Sequence, residues 1–293
     1  MLLNGLVPLH GGAMVWWKSW HFEPIILYGL AIGAYAWAVQ HAKRRGDIPP
    51  GETGHEARYL VPFVSGLILI FIAEGTPLHT LSEQYLFSVH MFQHVILYFG
   101  AAPLLVLGLP GWFAKPWVER PILYRILRVL THPVTALVSF NFVYSIWHLP
   151  GLYQAALVYH GIHGLQHAMT MFVAVLSWWP VFGRAPELQV LSDPVRLLYV
   201  FVNSIAQIAV FAYVTFHSSV LYPFYAYAPR ILNITVQQDQ VLAGIVMMIG
   251  TSAVLVTTLA WIFFRWMSSE ERREKQLRQQ ANAASLTTAD ERG

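Results

Sequence analysis

Seven long apolar stretches run through this sequence, each bounded by charged residues, proline or glycine. A helix needs roughly 20 mostly apolar residues to cross the hydrocarbon core of a bilayer. Only 11% of the residues are charged, whereas soluble chains have about 25%, so a soluble fold is excluded. We predict an all-α membrane protein, a bundle of seven transmembrane helices near residues 24–40, 59–76, 86–109, 133–149, 160–182, 195–221 and 239–267.

The lysine and arginine residues lie almost entirely on one side of this predicted bundle. The loops after the first, third and fifth helices, together with the C-terminal end, hold 16 of the 18. Because cytoplasmic loops are enriched in these residues, we predict an N-terminus outside and a cytoplasmic C-terminus. The chain then divides into an outer N-terminal segment with interfacial aromatic residues (1–23), the seven-helix domain (24–267) and a polar cytoplasmic tail (268–293).

The chain contains 13 histidines and no cysteine, and the predicted topology places ten of the histidines at the outer ends of helices or in outer segments. His90 and His94 are four residues apart on the third helix, as are His163 and His167 on the fifth. Residues at this spacing share a helix face, so each pair can present two imidazoles to one metal ion. Neither pair belongs to an H-E-x-x-H motif, which disfavours an intramembrane zinc protease.

Other polar residues are predicted to face the same outer level from the remaining helices. Ionisable groups at membrane depth are costly and generally face a bundle interior or a wet cavity. We therefore expect an outward-facing pocket, with Glu74 either orienting an imidazole or facing the headgroups. His10, His21 and His79 are instead assigned to interfacial positions. The further ligand candidates and supporting residues are His148, His217, Glu74, Asp239, Gln240, Asn141 and Gln207.

Histidine without cysteine suits copper, zinc, iron or nickel. A site rich in carboxylates, as magnesium or calcium requires, is not indicated. The predicted outer location favours copper, but the ligand types alone do not choose between copper and zinc.

Four runs resemble the signature of the polytopic CtaG family of cytochrome c oxidase assembly factors, and their order and spacing match over roughly residues 24–266. The runs are HMFQHVILYFGAAPLLVLGLP (90–110), WHLPGLYQAAL (147–157), HGLQHAMTMFVAVLSWWPVFG (163–183) and DQVLAGIVMMIG (239–250). The matching positions are His90, His94, Trp147, His148, His163, His167, Asp239 and Gln240. One position departs from the family pattern, since Gln166 stands where a glutamate is expected. This departure puts in doubt how His167 is oriented.

The resemblance implies a multi-pass, non-enzymatic protein of the bacterial plasma membrane. It would support formation of the copper centre of a haem–copper oxidase. The expected partners are the catalytic subunit of that oxidase and an outer-side copper donor protein, and no nucleic acid is expected.

Three other functions stay open. A b-type haem protein could take one axial histidine from the third helix and one from the fifth. A metal- or proton-coupled transporter would need a path to the cytoplasmic side, and the inner halves of the helices carry few ionisable groups. A scaffold could hold oxidase subunits together without binding a metal.

Overall fold

A computed structural model describes residues 16–22, 24–52, 54 and 57–290, and within these ranges the secondary structure is helical, with no strand. His10 and most of the predicted outer segment lie outside the described residues. The helices are α1 (Pro24–Arg45), α2 (Ala57–Glu74), α3 (Pro77–Gln84), α4 (Phe87–His94), α5 (Ala102–Leu107), α6 (Lys115–Val118), α7 (Pro121–Leu130), α8 (Pro133–Trp147), α9 (Pro150–Val158), α10 (His160–Phe182), α11 (Asp193–Phe216) and α12 (Val236–Asp290). A proline begins several of them, because the first turn does not use that N–H group.

Six helical segments among the described residues are long and apolar enough to cross a membrane. They are Ile25–Arg45, Ala57–Glu74, Phe87–Leu107, His160–Phe182, Asp193–Phe216 and Val236–Ala281. The multi-pass helical membrane class is therefore confirmed.

The fourth predicted helix differs from the expectation. It corresponds to α8, which has only 15 residues and reaches a spanning length only together with α7, across a bend of 62°. Pro133 produces the break between them, because proline has no N–H and disfavours a helical conformation in the residue before it. By length and composition the described residues thus hold six candidate spans, or seven if the bent pair counts as one.

The segment Phe87–Leu107 is the most enclosed of the candidate spans. It consists of α4, a π-helical stretch at Val95–Ala101, and α5. In its most apolar stretch 67% of the residues are buried, compared with 11% in the corresponding stretch of Ile25–Arg45. Side chains on α4 are therefore shielded from lipid by α3 and α12 on its flanks and by α10 further along the span.

Two glycines allow neighbouring helices to approach this central span closely. A Cβ atom on Gly66 of α2 would lie 3.0 Å from the Leu105 side chain and 3.2 Å from the Ala101 carbonyl oxygen. A Cβ atom on Gly250 of α12 would lie 2.8 Å from the Val95 side chain. Small residues at such contacts are typical of helix packing in membranes. They hold α2 and α12 against the helix that carries His90 and His94.

An ion-pair network ties α1 to the segment after α5, at the end of the bundle opposite the histidines. The Asp47 carboxylate contacts Lys115 and lies 2.9 Å from Arg45, which in turn lies 2.7 Å from Glu119. The hydrogen bond from Lys115, together with the charge of Arg45, holds the pKa of the Asp47 carboxyl below its ordinary value. The ionised form of Asp47 therefore stabilises the fold.

We expect Asp47→Asn to lower the melting temperature in detergent by about 2–4 °C at neutral pH, an effect of roughly 1 kcal/mol for a chain of this size. Because the pKa is depressed in the folded state, this contribution is present above about pH 4, the ordinary aspartate pKa. It is lost as the pH falls through the lower folded-state pKa. Thermal melts of both proteins between pH 7 and pH 3 should therefore show a difference in melting temperature that shrinks toward the acid end. A constant difference across that range would contradict the prediction.

Candidate metal centre

The centre begins with two histidines on α4. His90 and His94 are 0% and 2% exposed, and their Nε2 atoms lie 2.9 Å apart. Their spacing of one helical turn places both rings on the same face. The π-helical stretch begins directly after His94, and such π segments occur frequently at functional sites. The two imidazoles are thus fixed side by side on the most enclosed span.

His167 reaches the same point from α10. Its ring centroid lies 5.4 Å from that of His94 and 5.9 Å from that of His90. One ring nitrogen from each of these three histidines can be chosen so that all three atoms lie within 4.8 Å of one another, close enough to hold one metal ion. We call His90, His94 and His167 the inner triad.

His148 borders the inner triad from the end of α8. Its ring centroid lies 6.1 Å from that of His94, and its Nδ1 lies 2.6 Å from the Tyr144 carbonyl oxygen. Because a carbonyl can only accept, Nδ1 carries the proton, and Nε2 of a neutral ring is left as the free acceptor. That Nε2 atom is buried. His148 is therefore available as a further ligand.

A second group lies beside the inner triad and includes two residues that the sequence did not single out as ligands. His79, Glu83 and His163 can also offer ligand atoms within 4.8 Å of one another. Glu83 Oε1 lies 3.2 Å from His79 Nε2 and 2.5 Å from His163 Nε2. We call these three residues the outer group. The structure thus brings His79, which the sequence assigned to an interfacial position, next to Glu83.

Glu74 joins the two groups through its two carboxylate oxygens. Oε1 accepts a hydrogen bond of 2.7 Å from Nδ1 of His167, and Oε2 lies 3.3 Å from Nδ1 of His79. A carboxylate that receives the Nδ1 proton of an imidazole fixes the ring and leaves Nε2 free to bind a metal ion. Glu74 is thus placed to orient one histidine of each group, and this orientation of His167 does not involve Gln166.

The charge states in the outer group suit metal binding. Burial by itself raises the pKa of the Glu83 carboxyl, but the adjacent His163 and His79 outweigh it and hold that pKa below its ordinary value. Burial lowers the pKa of the His79 imidazole, and the nearby carboxylates offset only part of that effect. At neutral pH Glu83 is therefore ionised and His79 is neutral. These are the protonation states in which such side chains bind metals.

Many polar atoms of this cluster are buried and have no hydrogen-bond partner among the described residues. They are His90 Nδ1, His94 Nδ1, His148 Nε2 and His167 Nε2. A buried polar atom without a partner costs about 1–3 kcal/mol, and such atoms are rare in native proteins. Their concentration at one place, on atom types that bind transition metals, fits a metal centre.

Asp239 and Gln240 support the centre from α12 and lie outside both groups. The Asp239 carboxylate accepts hydrogen bonds of 2.8 Å and 3.2 Å from the backbone N–H groups of Phe87 and Ser88, at the start of α4. Gln240 accepts from the Leu221 N–H at 2.8 Å. Asp239 therefore satisfies N–H groups that the first turn of α4 leaves without helical partners, while Gln240 anchors the loop after α11.

Two tyrosines of that loop form hydrogen bonds with the helices that carry His148 and His79. The Tyr222 hydroxyl donates to the His148 carbonyl oxygen at 2.7 Å, and the Tyr225 hydroxyl donates to the Ser82 carbonyl oxygen at 2.9 Å. Both tyrosines are fully buried. These hydrogen bonds anchor the loop to the end of α8 and to α3.

Three predicted site residues lie elsewhere. Asn141 accepts from Gln207 at 2.7 Å and donates to Asn203 at 2.9 Å, which joins α8 to α11 through a network of amides. His217 contacts Tyr213 and Ser219, and no described contact joins it to the other histidines. The predicted sixth helix reached residue 221, but α11 ends at Phe216 and His217 has an extended backbone. The helical face shared with Gln207 therefore does not extend to His217.

Fold and site together define a multi-pass helical membrane protein with histidines and two glutamates gathered at one end of its helices. The chain belongs to the family of cytochrome c oxidase caa3 assembly factors (CtaG), whose sequence profile matches residues 33–269.

Its curated relatives include uncharacterised mycobacterial proteins. Those of Mycobacterium bovis and Mycobacterium tuberculosis are each 26% identical over 196 residues, which cover 61% of this chain and 28% of the relative. A protein of Mycobacterium leprae is 23% identical over 284 residues, covering 86% of this chain and 40% of the relative. The chain thus spans well under half the length of these proteins. No solved structure matches it significantly.

Proposed function

We propose that this protein supports the maturation of haem–copper cytochrome c oxidase by holding copper at the inner triad and delivering it to the catalytic subunit. Copper is the cargo of this function and no reaction is catalysed. The main support for this proposal is that ring nitrogens of His90, His94 and His167 lie within 4.8 Å of one another. Family membership supplies the oxidase as the target of assembly. Imidazole ligands without thiolate suit copper, and the chain has no cysteine.

The membrane arrangement that we propose has seven spans in a bacterial plasma membrane, with α7 and α8 together forming the fourth. The N-terminus lies outside and the C-terminus in the cytoplasm. The excess of basic residues on the cytoplasmic side of this arrangement supports it. The histidine cluster then faces the outer side, where an external copper donor protein has access. His148 is a further ligand that could bind during loading or release.

Copper content of the detergent-purified protein tests this function. We expect copper in the wild type and a loss of at least about one equivalent in His94→Ala and in His167→Ala. His217→Ala is the matched control, because His217 lies apart from the cluster, and it should retain the wild-type content. Unchanged copper in both triad variants would contradict the proposal. A Soret band in the absorption spectrum would instead identify a haem protein.

We expect Glu74→Gln to weaken copper binding by about 10–100-fold, the usual effect of removing a residue that orients metal-ligating histidines. Glutamine keeps the size of Glu74 but cannot accept N–H donors from His167 and His79 on both of its terminal atoms. Competition with a chelator of known affinity measures the change. Glu187→Gln, an exposed glutamate at the other end of the bundle, should have no effect. Equal affinities in the two variants would remove Glu74 from the site.

A further inference from the structure

We propose that the outer group, His79, Glu83 and His163, is a second metal site that takes a divalent transition-metal ion and loads the inner triad. This inference rests on the proposed function, because it describes how copper reaches the ligands that hold it.

The short helix α3 presents two of the three ligands. His79 and Glu83 are four residues apart on it and therefore share a face. Pro77 starts this helix, and the Thr76 side chain caps it by accepting from the Leu78 N–H. The third ligand, His163, comes from α10, and its Nε2 lies 2.5 Å from Glu83 Oε1. The carboxylate of α3 and the imidazole of α10 therefore meet at one buried point.

Each neutral tautomer of His79 has its own partners. With the proton on Nδ1, that atom faces Glu74 Oε2 at 3.3 Å, and Nε2 is free to bind a metal. With the proton on Nε2, that atom faces Glu83 Oε1 at 3.2 Å, while Nδ1 accepts a hydrogen bond from the Gln93 amide at 3.1 Å. A polar partner thus lies beside each ring nitrogen in both forms, which suits a site that must also release its ion.

Exposure places the outer group between solvent and the inner triad. The side chains of His79 and Glu83 are 14% and 22% exposed, whereas His90 and His94 are almost fully buried. His163 connects the groups, because its ring centroid lies 4.3 Å from that of His167. An ion at the outer group could therefore reach the inner triad by exchanging one imidazole for the next.

The two groups differ in chemistry. Two imidazoles and one carboxylate form a ligand set that binds divalent first-row metals such as zinc and iron(II). Among divalent first-row metal ions, Cu²⁺ binds such ligands most tightly. The inner triad offers imidazole alone. The outer group therefore fits a divalent ion, and Cu²⁺ is the one that the proposed function supplies.

Titration of the full-length, detergent-purified protein with Cu²⁺, followed by metal analysis and electron paramagnetic resonance, tests the second site. We expect about two equivalents in the wild type, with two distinguishable Cu²⁺ signals. Glu83→Gln should lose one equivalent and the signal of the mixed carboxylate–imidazole site, whereas His94→Ala should lose the other. Glu187→Gln is the matched carboxylate control and should keep both. His79→Asn replaces Glu83→Gln if the latter does not elute as a folded monodisperse protein.

The outcomes separate this inference from the proposed function. One equivalent that is lost in His94→Ala and kept in Glu83→Gln overturns the outer site and leaves the inner triad intact. One equivalent that is lost in Glu83→Gln and kept in His94→Ala supports the outer site and overturns the inner triad. Loss of both equivalents in Glu83→Gln shows that the two groups are not separate sites. Absence of bound Cu²⁺ from the wild type overturns both proposals.

Discussion

Cells that carry His94→Ala in place of the wild-type protein should lose at least about 90% of their cytochrome c oxidase activity at ordinary copper levels. His94 is fully enclosed and belongs to the inner triad, so its loss leaves two histidines of the triad. We expect the loss of a metal ligand to cost more than about 1.4 kcal/mol of binding free energy, which corresponds to a tenfold loss in copper affinity. Oxidase activity of isolated membranes, from a strain lacking its own copy of the gene, measures the effect.

The control for this experiment is His217→Ala, which removes a histidine that contacts Tyr213 and lies apart from the cluster. It should support wild-type oxidase activity. Added copper should partly restore activity in the His94→Ala cells, because mass action compensates for weaker binding. Full activity of the His94→Ala cells in copper-limited medium would show that delivery does not depend on the inner triad.

Replacing Asp239 by alanine should lower the free energy of unfolding by about 2–4 kcal/mol, since a buried, charge-assisted cap is removed from two backbone N–H groups. The carboxylate is fully buried and reaches from α12 to the first turn of α4. The loss should also loosen the placement of His90, which lies in the next turn. Thermal unfolding in detergent, followed by circular dichroism, measures the change.

Glu270→Ala provides the comparison for Asp239, because Glu270 is an exposed acid on the same helix. Its effect should stay within about 0.5 kcal/mol, as for most surface substitutions. Metal content of the Asp239→Ala protein adds a second readout, and it should fall together with stability. An Asp239→Ala protein as stable as Glu270→Ala would show that the cap contributes nothing to the fold.

The two helical histidine pairs illustrate what a local pattern can predict. Spacing of four residues within a continuous apolar stretch establishes that His90 and His94 share a face, as do His163 and His167, without any knowledge of the fold. The prediction of a membrane class from apolar length is secure for the same reason, because it depends on neighbouring residues only. Both concern distances along one helix.

His79 and Glu83 show where such reasoning stops. They lie on an eight-residue helix between two candidate spans, and this helix is too short and too polar to be predicted as a span itself. Their i,i+4 spacing was the available signal, but it marks a site only once His163 of α10 and Glu74 of α2 approach it. The expectation for His217 depended on a helix that continues past it, whereas α11 ends one residue before it.

The sequence by itself determined that this chain is a helical membrane protein, which residues lie in its apolar stretches, and that it has no thiolate to offer a metal ion. Only the tertiary structure decided which histidines meet. Hydrogen bonds between residues close in sequence fix which side chains share a helix face. Contact between helices depends instead on where each helix ends and how closely the next one can approach. Asp239 acquires its role as a cap for the same reason, since its partners lie about 150 residues earlier in the chain.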